Sequence, residues 1–389
     1  MTSENTIQTK INNADSNTSA SELLRLLYAA KEYPINSVYD SVGVMPTTDS
    51  ANIGRIAFAE NNDAMYVLVG LDSGWQLIDS NAASASEVPS HIQGSTFGYS
   101  LGGRQSGFYN YIEKYSYTAD GNSTDVANLT ASPAYHTTSY SSTDAFTHGG
   151  YTTSEIASVD KINFASGADA TDFGDFPAVG RYGGGNSSPT HGYQGGGLPS
   201  PNAFGAGANT AIFKFPHSAG SVSTSAVGDL TEASQYNDTN SSATHGYHHA
   251  IGGASNKIEK YPFASDTNAA DVGDLLDATG DGRGTNSGLL SDVSGGYGYV
   301  NLIPPSTYNI SRYSFVSDGN ATDHTDLNTG AWLGSVSSST TSGYLAGGLT
   351  PPPAGYINVI QKFPYASTTN GTDVGDLLGQ IGYNGGAAN

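Results

Sequence analysis

The sequence predicts an all-β protein dominated by a six-bladed β-propeller, and three observations carry that prediction. First, one strand motif recurs six times: Ile112-Glu113-Lys114, Val159-Asp160-Lys161, Ile212-Phe213-Lys214, Ile258-Glu259-Lys260, Ile310-Ser311-Arg312 and Ile360-Gln361-Lys362. Successive basic residues lie 47, 53, 46, 52 and 50 positions apart, a period that belongs to propeller-type repeats. Second, eleven residues beyond the basic residue stands Asp125, Asp172, Asp271, Asp323 or Asp373; only the third copy slips, with Ala226 twelve past Lys214. Third, 50 Gly and 25 Tyr in 389 residues, with 13% charged residues, suit short twisted strands and tight turns rather than long helices.

Along the chain, residues 1–18 read as a flexible arm. Ser21 can cap a short helix that ends before Pro34, with Leu23, Leu24, Leu27 and Tyr28 as an apolar stripe at helical spacing. So short a helix is marginal alone in water, so those four residues are the expected partner-docking positions. The segments Gly54–Ala59, Ala64–Val69 and Leu71–Ile78 alternate like a hairpin followed by a third strand. Together these make an N-terminal anchoring module over residues 19–80, a small helix plus a β-hairpin unit. Residues 81–92 are small and polar with one proline, and read as a linker to a repeat domain at 93–389.

Each repeat opens on a Gly-Tyr strand and a glycine pair, as at Gly98-Tyr99 with Gly102-Gly103 and Gly343-Tyr344 with Gly347-Gly348. Units two and five read as shifted versions around Tyr151 and Tyr297 to Tyr299. The stretch between this tyrosine and the basic residue varies in length, whereas the basic-to-Asp spacing barely moves. Fixed spacing marks packed scaffold and variable spacing marks loops on one face. The last unit ends before it can supply another Gly-Tyr strand, while a spare one stands at Gly98-Tyr99. A closed circle, with residues 97–103 and 381–389 in one sheet, removes the edges that an open stack would leave exposed.

The segment 256–275, NKIEKYPFASDTNAADVGDL, with His-Gly-Tyr and Gly-Gly marks before it, resembles Kelch-like repeats. More closely, it is similar to repeat proteins of tailed phages of marine bacteria, including cyanophages. The resemblance covers roughly residues 93–389 and is most specific in its Asp-Val-Gly-Asp-Leu core; units three (Ala226, His217) and five (Asp323 to Leu327) depart from it. Residues 54–78 also resemble small β modules near the start of phage fibre and tail proteins. The resemblance implies a Kelch-like propeller in a virion structural protein, located in the virion, that docks on other virion proteins through residues 1–80.

Composition narrows the partners. A formal charge of −21 argues against nucleic acid and against an anionic membrane surface. No stretch approaches the length of a membrane-spanning segment, and the N-terminus lacks an apolar core of signal-peptide length. With no cysteine, disulfides and thiolate metal sites are excluded. Nucleophile-elbow, phosphate-loop, zinc-helix and dinucleotide motifs do not occur, so the expectation is no enzyme, no cofactor and no metal. His245, His248 and His249 read as structural polar residues of a strand. The Asp-Gly-Asn turns at 120–122 and 318–320 read as turns rather than calcium loops. The repeated basic residue is expected to meet a repeat carboxylate such as Asp274 or Asp376, as a paired internal charge.

The expected function is therefore display of a propeller on a particle for attachment to a host-cell glycan or protein, as a homo-oligomer or in multiple copies. Surface-binding loops are expected at Leu198 and Phe204, at Pro304, Pro305 and Tyr308, and at Pro352 and Tyr356. Proline stiffens a loop and tyrosine supplies contact area at small entropic cost. The rival readings are a decoration or cement protein without host contact, and an enzyme that degrades host polysaccharide.

Overall fold

A computed structural model describes residues 91–176, 180–199, 209–218, 222, 226–234, 237–249, 255–276, 287–302, 308–350 and 355–389, together with four N-terminal strands. The chain divides into two units, Met1–Glu87 and Val88–Asn389. The first unit holds a four-stranded sheet of Ser37–Tyr39, Ile56–Ala59, Ala64–Gly70 and Gly74–Asp79, in that order. The last three are antiparallel neighbours, as their alternation predicts, and Ser37–Tyr39 adds a parallel strand that the sequence did not announce. Leu23, Leu24, Leu27 and Tyr28, with their expected helix, lie outside the described residues.

The second unit is a six-bladed β-propeller. Blade 1 runs from the innermost strand outwards as Gly385–Ala388, Phe97–Arg104, Phe108–Ser116 and Thr124–Asn128. The last strand of the chain thus pairs with the first of the propeller, Ala388 opposite Gly98 and Gly385 opposite Leu101, and the ends close the ring. Blade 2 is Thr137–Tyr140, Asp144–His148, Ser158–Asn163 and Thr171–Asp175; blade 3 is Gly184–Ser187, His191–Gly195, Asn209–Pro216 and Ala226–Ser234. Blade 4 is Asp238–Ser241, His245–His249, Lys257–Pro262 and Ala270–Asp274. Blade 5 is Ser291–Asp292, Tyr297–Leu302, Asn309–Ser314 and Thr322–Asp326; blade 6 is Ser335–Ser338, Ser342–Ala346, Val359–Pro364 and Thr372–Asp376. Antiparallel order puts the hairpin turns between strands one and two, and three and four, on one face. The loops between strands two and three, and the blade-to-blade connections, lie on the opposite face.

The repeat signature spells contacts between neighbours. In the Gly-Tyr strand, the glycine sits opposite the third-strand aromatic: Gly98 opposite Tyr115, Gly246 opposite Tyr261, Gly343 opposite Phe363. A β-carbon there would collide with that ring. The hydroxyls reach back to the innermost strand of the preceding blade, Tyr261 to Asn186 Oδ1 at 2.9 Å and Tyr313 to Asn240 Oδ1 at 3.0 Å. Blade 2 breaks the spelling. Its counterpart of Gly-Tyr is Ala145-Phe146, opposite Ile162 and Lys161, and not the stretch around Tyr151. An aliphatic partner at Ile162 leaves room for the alanine methyl, so glycine is not required. In blade 5 the residue opposite Arg312 is Tyr299.

The Asp-Val-Gly-Asp segment is a seam. A β-carbon on Gly228, Gly273 or Gly375 would strike the backbone of the next blade's turn at Thr267, Gly319 or Gly121. In that turn Asn320 Oδ1 accepts from Asp274 N at 3.1 Å, and Asn122 Oδ1 accepts from Asp376 N at 3.0 Å. In three blades the middle residue of the Ile-x-Lys strand is buried and latches the preceding blade at the end of its fourth strand or just past it. Asp160 accepts from Thr130 N at 2.8 Å and Thr130 Oγ1 at 2.6 Å; Glu259 accepts from Thr231 N and Oγ1; Gln361 exchanges two 2.7 Å bonds with the Thr329 backbone.

The repeated basic residues are paired, but not with Asp274 or Asp376. Lys260 Nζ donates to both carboxylate oxygens of Asp318 at 2.8 Å, Lys362 bonds to Asp120 at 3.4 Å, and Lys214 meets Asp266. Each of these partners lies in the next blade's outer turn, because the third strand points its Lys toward the seam. Lys161 pairs within its own blade, with Asp144. Lys114 and Arg312 instead lie over the rings of Phe97 and Tyr297. The Lys260–Asp318 pair is partly exposed, so solvent screening reduces its worth from the several kcal/mol of an internal pair to roughly 1 kcal/mol or less. Lys260→Ala is therefore expected to lower Tm by only about 2 °C, with the difference shrinking at high salt in calorimetry. An unchanged Tm at low salt would dismiss the pair.

The axis is filled. The innermost strands are made mostly of Gly, Ser, Thr and Asn, and every one of their residues is buried. Thr138 Oγ1 donates to Gly386 O at 2.8 Å and lies 3.3 Å from Ser287 Oγ, which belongs to the connection into blade 5 on the far side of the ring. A serine relay circles the axis: Tyr140 N to Ser187 Oγ, Ser187 N to Ser241 Oγ, Ser241 N to Ser291 Oγ, and Ser291 N to Ser338 Oγ, at 2.9–3.1 Å. On the turn face the relay is completed by Ile92, read as linker, and by Gln93 at the start of the repeat domain. Ile92 is fully buried and its carbonyl accepts from Tyr140 Oη, while Gln93 bonds to Val293 N and Ser339 O. Residues 91 and 92 thus belong to the propeller.

Candidate functional site

On the loop face, the axis is capped by residues two positions ahead of four innermost strands: Tyr135, Tyr182, Leu333 and Tyr383. All four adopt left-handed backbone, with φ of 62°, 62°, 58° and 59°. A non-glycine residue takes that conformation only where the surroundings enforce it. Here a run of backbone bonds across four neighbouring blades does so. Tyr182 N donates to Tyr135 O, Tyr135 N to Tyr383 O, and Tyr383 N to Leu333 O.

The rings gather around Tyr135, whose centroid lies 4.3 Å from Tyr383 and 4.9 Å from Tyr182. Two arginines hold the cluster. Arg104, at the end of the second strand of blade 1, donates from Nη1 to Tyr135 Oη at 2.7 Å and lies over Phe108. Arg181 lies 4.9 Å from the Tyr151 centroid and 5.3 Å from that of Tyr182, with Glu155 at 3.6 Å. Cation–π contacts that exclude water are the stronger ones, and Arg181 is buried. The result is a preformed aromatic and cationic surface at the centre of the loop face. The half-buried Tyr135, Tyr383 and Arg104 present ring area, phenol hydroxyls and one guanidinium there, while Arg181 and Tyr182 are buried beneath the solvent boundary.

The expected loop residues divide. Tyr356 joins the cluster, 6.5 Å edge-on from Tyr383. Tyr308 is 38% exposed and packs its ring over Gly330, at the rim. Leu198 is a correction: it is only 3% exposed, because it pairs with Arg181 in a short ladder of Leu198–Pro199 against Gly180–Arg181. Buried beside Arg181, it offers no surface. Phe204, Pro304, Pro305 and Pro352 lie outside the described residues. The sequence reading missed Arg104, Tyr135, Tyr151, Arg181, Tyr182 and Tyr383. Two signals existed: arginine is scarce, and Tyr182-Gly-Gly and Tyr383-Asn-Gly-Gly stand at the same offset from a strand.

Of the three clustered histidines His245 is half-buried and the other two are core. His248 and His249 are fully buried, His249 Nε2 lies 3.1 Å from Tyr313 Oη, and burial pulls both imidazoles down to about 3. Among the described residues no three His, Asp or Glu side chains are grouped to hold a metal ion. Compared with known proteins, the chain matches no family model and no curated protein.

Proposed function

We propose that this chain is a non-catalytic virion structural protein of a tailed phage. Its propeller is displayed for attachment to a host-cell glycan or protein, and residues 1–80 join it to other virion proteins. The observation that carries the binding role is the arginine-held tyrosine cluster over a filled axis. Among the described residues the centre of the ring is packed, and the preformed cluster on the loop face supports a binding role. The phage assignment is supported by the resemblance of residues 256–275 to phage repeat proteins, and multiple copies on one particle would add avidity to weak contacts.

The test uses particles that carry the chain. Antibody raised against residues 88–389 is expected to decorate the particle surface and to block adsorption to cells. Decoration with adsorption intact would make the protein a cement component. Release of reducing ends from host polysaccharide by the purified chain would make it an enzyme. Either result overturns the proposal.

A further inference from the structure

Blades 6 and 1 meet at the seam where the chain closes. At this seam a cleft of about 380 Å³ opens, lined by Gln105, Tyr109, Tyr111, Glu113, Asp125 and Leu378. Its size falls within the roughly 300–1,000 Å³ usual for small-molecule sites. We propose that this cleft binds a neutral saccharide unit.

The seam's own latch is incomplete. Where Thr130 and Thr231 give both a backbone N–H and a hydroxyl to Asp160 and Glu259, the corresponding residue here is Leu378, which has no hydroxyl. Glu113 Oε2 takes Leu378 N at 3.3 Å and Ser123 Oγ at 2.9 Å, and no described residue donates to Oε1. A carboxyl group only 4% exposed therefore keeps an acceptor for a hydroxyl donor entering the cleft.

The aromatic wall is particular to this blade. Tyr109 and Tyr111 lie on one side of the third strand with centroids 5.6 Å apart and planes 26° apart. In Tyr111's place the other blades carry Ser158, Ala211, Lys257, Asn309 and Val359. Tyr111 is 42% exposed and Leu378 61%, large apolar groups left uncovered beside polar ones. Two near-parallel rings form a platform for the C–H face of a pyranose rather than a cage around a cation. The Gln105 amide and the two carboxyls suit its hydroxyls. No lysine or arginine is among the lining residues, which argues against an acidic sugar, as does the chain's net charge of −21.

This inference concerns ligand chemistry and stands apart from whether the protein is carried on a virion. The full chain is screened against immobilised neutral oligosaccharides, uronate oligosaccharides and tetramethylammonium, and hits are titrated by calorimetry. A neutral oligosaccharide is expected to bind. Tyr111→Ala, on an exposed side chain, should weaken it roughly tenfold at unchanged Tm. Leu378→Thr, which supplies the missing latch hydroxyl to Glu113, should weaken it as well while leaving Tm unchanged or raised. Binding undiminished in both variants, preference for the uronate or the cation, or no neutral ligand at all would each overturn the proposal.

Discussion

Removal of residues 385–389 is expected to cost the propeller its cooperative fold, or to lower Tm by about 10 °C or more. The deletion takes away the innermost strand of blade 1, and with it the ladder to Phe97–Arg104. Asn389 O no longer accepts from Thr96 N and Phe97 N, and Asn389 N no longer donates to Phe97 O. The fully buried Ala387 and Ala388 leave, uncovering Tyr99 and Leu101. At about 1 kcal/mol per hydrogen bond, plus the apolar area, several kcal/mol are withdrawn from a margin of roughly 5–15. The new edge would also invite association with other chains. Circular dichroism melts and size-exclusion chromatography measure both. A truncated chain that melts like the full one would contradict the closure.

Acid is expected to unfold the protein well above the carboxylate range. Burial lowers His91, His136 and His217 to about 4, and His148, His248 and His249 to about 3, from an ordinary value of 6.5. These folded-state values are depressed, so below pH 6.5 the unfolded chain takes up protons that the native chain refuses. Stability is then fully present above 6.5 and is lost as pH falls toward the folded values. Each histidine withdraws about 1.4 kcal/mol per pH unit once well below 6.5. Six of them remove on the order of 10 kcal/mol by about pH 5, comparable with the whole margin. Burial has the opposite effect on Glu113, Asp160 and Glu259, whose carboxyls are raised. The native state takes up their protons first, which stabilises it as pH falls. Three raised carboxyls do not offset six depressed imidazoles. Tm measured from about pH 7.5 to 5 is expected to fall steeply below 6.5. A flat profile would mean that these imidazoles are solvated.

Much of the propeller was legible because packing at a repeated seam demands the same residue types each time. Ile-x-Lys, Gly-Tyr and Asp-Val-Gly-Asp-Leu all stand at points where one blade meets a ring or a backbone of its own sheet or its neighbour. What was illegible is which neighbour. Sequence spacing alone could not tell that Lys260 reaches forward to Asp318 rather than sideways to Asp274. Blade 2 was misaligned because Ala145-Phe146 replaces Gly-Tyr once Ile162 removes the ring that required glycine.

The loop-face site was harder to see for a different reason. Left-handed backbone at Tyr135, Tyr182, Leu333 and Tyr383 has no residue spelling, since it is imposed by backbone bonds between neighbouring blades that exist only in the folded ring. Leu198 sits in a Leu-Pro-Ser-Pro stretch that reads as exposed loop, yet its pairing with Arg181 buries it. The cleft at the closing seam involves Leu378, where blades 1 and 3 carry Thr130 and Thr231, and what that leucine leaves open appears only beside Glu113.

Hydrogen exchange on the full chain, followed by peptide mass spectrometry, tests ring closure most directly. The peptides covering Phe97–Arg104 and Gly385–Ala388 should exchange as slowly as that covering Ser342–Ala346, a second strand paired on both sides within blade 6. If the two terminal segments exchange at the rate of free chain while Ser342–Ala346 stays protected, the ends do not meet and the ring is open.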